Sequence, residues 1–310
     1  MSLADARVVF FGSGEIAIPA LRRLIADGPR PLALVTQPDK PAGRHRELTP
    51  PPIKRVALEA GIPVLQPESV RDEASLAELR AFAPDLIVVM AYGQILPKAL
   101  ISIPKIACIN LHASLLPKYR GASCLQAAID EGDAETGITV MHVVPKLDAG
   151  DIIHALATPI GAEETGGSLH DRMADVAAEA LAQALPGIFE GTATRTPQDG
   201  ERASYAPKLE REHGRIDWTW DAERLDRRIR AYEPWPGTWT TFDGKRIKIF
   251  PAKAEEGMAG EVGALSVVEG EVRVACGGGF LVLGDIQADG SRRMPARDWV
   301  KGLRSLPTFE

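Results

Sequence analysis

The 310-residue sequence predicts the α/β class: an open, parallel-rich sheet in the first two-thirds, then a small C-terminal β-barrel. Three observations point there. Short apolar runs rich in β-branched residues alternate with helix-like stretches through the first two hundred residues, the pattern of parallel strands joined by crossover helices. Beyond residue 207, strand signals broken by glycine recur at short and regular spacing. The chain is also longer than one core comfortably fills, so two domains are expected.

Strands are expected at 7–11, 31–36, 85–90 and 106–111, with helices between them at 15–26, 53–60 and 74–82. Two more strands follow at 137–144 and 152–157. A long helix over about 168–190 closes a Rossmann-like first domain, residues 1–190, whose crossovers are right-handed. Residues 191–207 carry turn chemistry without apolar periodicity and read as a linker. The second domain, 208–310, opens with a helix near 221–231. Strands at 239–242, 246–250, 260–268, 271–275 and 279–283 then suggest an OB-like barrel.

With 45% apolar and 25% charged residues, the composition is that of an ordinary soluble globular protein. Residues 1–9 lack the cationic cluster and apolar run of a secretory signal. No uncharged apolar stretch approaches the roughly 20 residues that span a bilayer. Cys108, Cys124 and Cys276 show no paired spacing for zinc and are odd in number for disulfides. A reduced, cytoplasmic compartment is therefore expected, with no membrane and no metal. The net charge of −6 resides in residues 1–206, and the remainder is neutral. Neither half is a strongly basic binder, although a local patch can still grip phosphates.

Gly12-Ser13-Gly14-Glu15-Ile16-Ala17 follows the first strand and opens a helix, matching the Gly-x-Gly-x-x-Ala dinucleotide fingerprint. The acid that should close the second strand is missing. Thr36-Gln37-Pro38 stands there, and Asp39 comes late, inside a loop. A plain strand-to-helix turn is the better reading, so no NAD is expected.

Asn110 and His112 lie two apart at a strand end, so their side chains project from one face. An amide donor beside an imidazole suits a reaction that builds negative charge on a carbonyl oxygen. The carboxyl ends of strands are also where open α/β sheets place ligands. Equally, Asn110 could cap a turn and His112 could be a satisfied structural histidine. Asp148, in a loop between two strand signals, could reach the same crevice and pair with His112, or simply form an Asx turn. The polar segment 36–50 is long for a strand-to-helix connection. Its Lys40, Arg44 and Arg46 could contact phosphates, or the whole could be a solvated loop.

On these residues the chain resembles the methionyl-tRNA formyltransferase family, a branch of the 10-formyltetrahydrofolate-dependent transferases. The likeness runs through Thr-Gln-Pro-Asp-Lys-Pro-Ala-Gly-Arg (36–44), Ala-Tyr-Gly-Gln-Ile-Leu-Pro (91–97), Asn-Leu-His-Ala-Ser-Leu-Leu-Pro-Lys-Tyr-Arg-Gly-Ala (110–122), Leu-Asp-Ala-Gly-Asp (147–151), Ser-Tyr-Ala-Pro-Lys-Leu (204–209), Arg-Ile-Asp-Trp (215–218) and Arg-Ala-Tyr-Glu-Pro-Trp-Pro-Gly (230–237). The resemblance implies that Asn110, His112 and Asp148 hold the catalytic positions. It implies that Tyr92, Gly93, Ile95 and Leu96, with Ser114, Leu115, Leu116 and Pro117, hold 10-formyltetrahydrofolate as formyl donor. It makes initiator methionyl-tRNA the acceptor, gripped by Lys40, Arg44 and Arg46 and by the C-terminal domain, and the chain a monomer. Gly14, Cys124 and Lys146 depart from the family pattern, which has proline, proline and glycine there.

Overall fold

The structure, a computed structural model, describes residues 3–42, 47–258, 260–306 and 308–310. The described chain divides into two compact units. The first comprises Met1–Gly121, Thr136–Thr158 and His170–Tyr205, and the second Ala122–Glu135, Pro159–Leu169 and Ala206–Glu310.

In chain order, the first unit is built on β1 (Val8–Gly12), α1 (Ile18–Ala26), β2 (Ala33–Val35), β3 (Lys40–Ala42), β4 (Glu47–Thr49), α2 (Pro52–Glu59), β5 (Val64–Leu65), α3 (Glu73–Ala81), β6 (Leu86–Met90), α4 (Lys98–Ile101), β7 (Ala107–His112) and β8 (Arg120–Gly121). After α5 (Cys124–Asp130) come β9 (Glu135–His142), β10 (Ile152–Pro159) and α6 (Gly166–Glu190). A seven-stranded sheet runs β10-β9-β7-β6-β1-β2-β5. β1 pairs in parallel with β2 and β6, and β6 with β7, whereas β9 lies antiparallel to β7. The parallel-rich sheet is thus as expected, with its antiparallel strand toward one edge.

The central strands are buried throughout, which is why they read as continuous apolar runs and not as alternation. Val9 and Phe11 of β1 pack with Ile87 and Val89 of β6 against Leu76 and Leu79 of α3. Their neighbours Val8, Phe10, Val88 and Met90 are equally buried. Each such apolar side chain taken from water contributes about 1.5–3 kcal/mol.

The helix expected over 15–26 is a 3-10 turn, Glu15–Ala17, followed by α1. Pro19 explains the break: without an N–H it belongs in the first turn of a new helix. Gly12 has no room for a side chain, since an added Cβ would sit 2.9 Å from the Phe10 ring and 3.1 Å from the Met90 carbonyl.

The segment expected as a linker is part of the first unit up to Tyr205. Thr196 and Ile152 exchange backbone hydrogen bonds of 2.8 and 2.9 Å. The short β11 (Tyr205–Ala206) pairs with β8.

The second unit adds α7 (Ala222–Tyr232), β12 (Thr238–Phe242), β13 (Lys245–Ile249), β14 (Ala252–Glu255), β15 (Leu265–Val268), β16 (Glu271–Ala275), β17 (Phe280–Leu283), β18 (Asp285–Ala288), β19 (Met294–Pro295) and α8 (Ala296–Val300). The barrel expected here takes the form of two four-stranded antiparallel sheets, β12-β13-β18-β19 and β14-β17-β16-β15. One core joins them, with Ile247, Ile249 and Ile286 from the first sheet and Val272, Val274, Leu281 and Leu283 from the second.

Asp221 caps α7, its carboxylate accepting the Arg224 N–H at 2.8 Å. Helix α5, not among the expected helices though its residues fall within the expected first domain, clusters with this unit. Its Asp130 pairs with Arg228 at 2.7 Å, with both side chains largely buried. Removing one member of such a pair leaves an uncompensated charge, at a cost of about 3–5 kcal/mol. The strand expected from 260 starts only at Leu265, because Gly263, at φ +82°, turns to donate its N–H to Ala275 O. Among the described residues no helix is long and apolar enough to cross a membrane.

Candidate active site

At the end of β6 the chain leaves the sheet through two left-handed residues, Ala91 (φ +49°) and Gly93 (φ +89°). Gln94 ties this turn down. Its Oε1 accepts the Val70 N–H at 3.1 Å, and its Nε2 donates to the carbonyls of Pro67 and Glu68. Tyr92 is buried, its ring edge-on to Phe11 at 5.1 Å. Burial pushes its phenol well above the usual tyrosine range, and its hydroxyl is buried without a hydrogen-bond partner among the described residues.

The turn forms one wall of a cleft of about 230 Å³. Asn110 of β7 and Met141 of β9 lie in its lining, and Val143 to Pro145 with Leu147 to Ala149 close the other side. Ile95 and Leu147 are both exposed at the cleft, at 69% and 57%. Exposed apolar side chains beside a concave site with few polar groups mark a place for a largely apolar ligand.

Of the predicted catalytic residues, the structure puts Asn110 and Asp148 in the cleft lining. His112, 7% exposed, lies beside Asp148 without lining the cleft. Its Nδ1 faces Asp148 Oδ1 at 3.8 Å, and its Nε2 sits 2.8 Å from the Tyr119 carbonyl oxygen. Both ring nitrogens therefore look at oxygen acceptors. Asp148 adopts φ +46° and accepts the Gly121 N–H on Oδ2 at 2.8 Å. Gly150 completes the turn, because an added Cβ would collide with the His142 carbonyl.

Of the residues the resemblance assigns to the donor, Tyr92, Gly93, Ile95 and Leu96 line the cleft; Ser114, Leu115, Leu116 and Pro117 do not. The chain turns under His112 instead. Ser114 is buried and donates to Tyr119 O at 2.8 Å, and the Leu116 N–H donates to Thr139 Oγ1. This segment supports the imidazole from behind. Sequence reasoning missed Gln94, Met141, Val144 and Leu147 in the cleft, since apolar residues and a lone amide carry no spacing signal.

The glycine fingerprint forms an ordinary turn. The Ser13 and Gly14 N–H groups, which a pyrophosphate would need, both donate to the Ala91 carbonyl at 3.1 and 3.3 Å. Asp39 is engaged by Gln66 Nε2 at 2.6 Å and Lys54 Nζ at 2.9 Å, and these two bonds hold its carboxyl below the ordinary range.

Within the 36–50 segment, β3 and β4 pair antiparallel, with Lys40 opposite Thr49. Lys40 is exposed; Arg44 and Arg46 lie outside the described residues. The three cysteines are buried and free, and burial pushes the Cys108 thiol up to about 12 and the Cys276 thiol up to about 11. None of them lines the cleft. Among the described residues no group of His, Cys, Asp and Glu could hold a metal ion.

Comparison with known proteins matches residues 6–185 to the family described as Formyl transferase and residues 208–304 to Formyl transferase, C-terminal domain. A methionyl-tRNA formyltransferase of Akkermansia muciniphila is 52% identical over 309 residues, covering 97% of this chain and 98% of its own. Among solved structures, the methionyl-tRNA formyltransferase from Clostridium thermocellum superposes with a TM-score of 0.55 at 17% identity, over 82% of this chain and 95% of that one. HypX from Aquifex aeolicus in complex with tetrahydrofolic acid gives 0.61 at 20% identity, over 98% of this chain and 51% of its own. Such distant structures share the fold. The near full-length identity to the Akkermansia protein shows more: this chain belongs to the methionyl-tRNA formyltransferase family.

Proposed function

We propose that this member of the family transfers the formyl group of 10-formyltetrahydrofolate to the amino group of initiator methionyl-tRNA in the cytoplasm. The observation that carries the chemistry is one cleft holding an amide, Asn110, and a carboxylate, Asp148, with His112 Nδ1 3.8 Å behind that carboxylate. The acceptor rests on the full-length identity, which extends through the C-terminal domain.

The cleft suits the donor. Its wall from Tyr92 to Leu96 combines the Ile95 and Leu96 side chains with Gln94 and turn backbone, able to hold a flat ring. The donor supplies an activated formyl carbon bonded to a nitrogen that can leave.

The residues then divide the work. The neutral acceptor amine attacks the formyl carbon, a new C–N bond forms, and the carbonyl oxygen gains negative charge. Asn110 Nδ2 donates to that oxygen, the kind of contact that is strongest in the transition state. His112, anchored through Nε2 to Tyr119 O, turns Nδ1 toward Asp148 Oδ1 and orients that carboxylate. Asp148 accepts the proton the amine must lose, and returns one to the leaving folate nitrogen as the old C–N bond breaks.

On the acceptor side, the resemblance supports contacts to the tRNA end from Lys40, exposed on β3, and from Arg44 and Arg46. Purified protein given 10-formyltetrahydrofolate and methionyl initiator tRNA should yield formylmethionine after the ester is cleaved. Formate alone would make the chain a hydrolase instead. Arg44→Ala should lower turnover on methionyl-tRNA by about 10²-fold while sparing slow hydrolysis of the donor, because an amine not held in place does not reach the formyl carbon. Unchanged transfer by that variant would remove Arg44 from acceptor binding.

A further inference from the structure

Gln198 belongs to the stretch whose composition suggests only a linker, yet its side chain sits at the centre of the network that holds Asp148. Its Nε2 donates to the carbonyl oxygens of Asp148 and Gly150, both at 2.8 Å. Its Oε1 accepts from the Arg120 guanidinium, from Nε at 3.1 Å and Nη2 at 2.7 Å. Only this orientation of the amide works. Reversed, its oxygen would face two carbonyl oxygens, and its NH2 would face a guanidinium that accepts nothing.

Everything around Gln198 is fixed. The Thr196 bonds to Ile152 hold its backbone two residues upstream. Arg120 is 2% exposed and its backbone N–H donates to Ser204 O at 2.8 Å. The residue after Arg120 is Gly121, whose N–H binds the Asp148 carboxylate. The Asp148 loop is therefore gripped twice: at the side chain from Gly121, and at the backbone from Gln198. Such support matters at φ +46°, a conformation that aspartate tolerates better than most residues but that its surroundings must still select.

We propose that Gln198 is a positioning residue for formyl transfer, holding the Asp148 backbone so that the carboxylate stays aimed into the cleft. This rests on Asp148 being the proton acceptor. Gln198 touches neither substrate; it acts through the loop. A displacement of about 1 Å at a reacting group can cost on the order of 10²-fold in rate.

Two variants separate the bonds. Gln198→Glu keeps an acceptor for Arg120 but presents no N–H to the two carbonyls. Gln198→Leu removes both sets of bonds at similar volume. Steady-state transfer should show kcat lowered on the order of 10–100-fold for both, with KM for the formyl donor within about threefold of wild type. In an Asp148→Asn background, either change should cost no more than about threefold further, since the group it positions is already lost. A wild-type kcat for Gln198→Glu would overturn the proposal. So would a rate loss that recurs in full on top of Asp148→Asn, which would mark Gln198 as a general structural residue. Should one variant fail to fold, judged by its melting curve, the other carries the test. If Asp148→Asn alone were fully active, the proton-acceptor reading would fall first, and visibly so.

Discussion

Asp148→Asn should lower turnover by about 10²–10⁴-fold, the usual contribution of a positioned proton acceptor, while the protein keeps its fold. Several features of the site make the substitution clean. Asparagine is isosteric with aspartate and is among the few residues at ease in the left-handed region, so φ +46° is retained without new strain. Its side-chain oxygen can still accept the Gly121 N–H that Asp148 Oδ2 binds at 2.8 Å. The backbone carbonyl held by Gln198 is untouched. What disappears is the charge facing His112 Nδ1 and the ability to take a proton from the amine. Formyl transfer at saturating substrates, measured beside a thermal melt, decides the matter. Activity within about threefold of wild type, with an unchanged melting temperature, would take Asp148 out of the mechanism.

Much of this arrangement could be read before any coordinates, for identifiable reasons. Val8 to Phe11 and Leu86 to Met90 are buried on both faces, and a doubly covered strand advertises itself as an unbroken apolar run. Asn110 and His112 declared a shared face because strand side chains repeat every two residues. Features set by tertiary contacts stayed hidden. Asp148 meets His112 only because its loop is forced into a left-handed turn and pinned from Gln198, and neither constraint has a local signature. Gln198 sits among turn-forming residues, where polarity suggests solvent. The pairing of β3 and β4 lacks apolar alternation, since Glu47, Leu48 and Thr49 are all exposed. Helix α5 joins the second unit through the Asp130–Arg228 pair, a contact that no reading along the chain can anticipate.

Asn110→Ala should lower kcat on the order of 10²–10³-fold, as loss of a single oxyanion donor does, with little effect on stability. The backbone of Asn110 is held in the sheet between Val89 and Met141, and truncating a cleft-facing side chain leaves that pairing intact. Because the oxygen carries most charge in the transition state, the loss should fall on kcat and on kcat/KM alike. A rise confined to KM for the formyl donor would show instead that Asn110 binds the ground-state carbonyl, and its oxyanion role would fall. Asn110→Asp sharpens the distinction. It keeps size and shape, but sets a carboxylate against the developing negative charge, so it should be at least as slow as the alanine variant. Were the aspartate variant the faster of the two, the side chain at 110 would be acting through space-filling, and the donor assignment would fail.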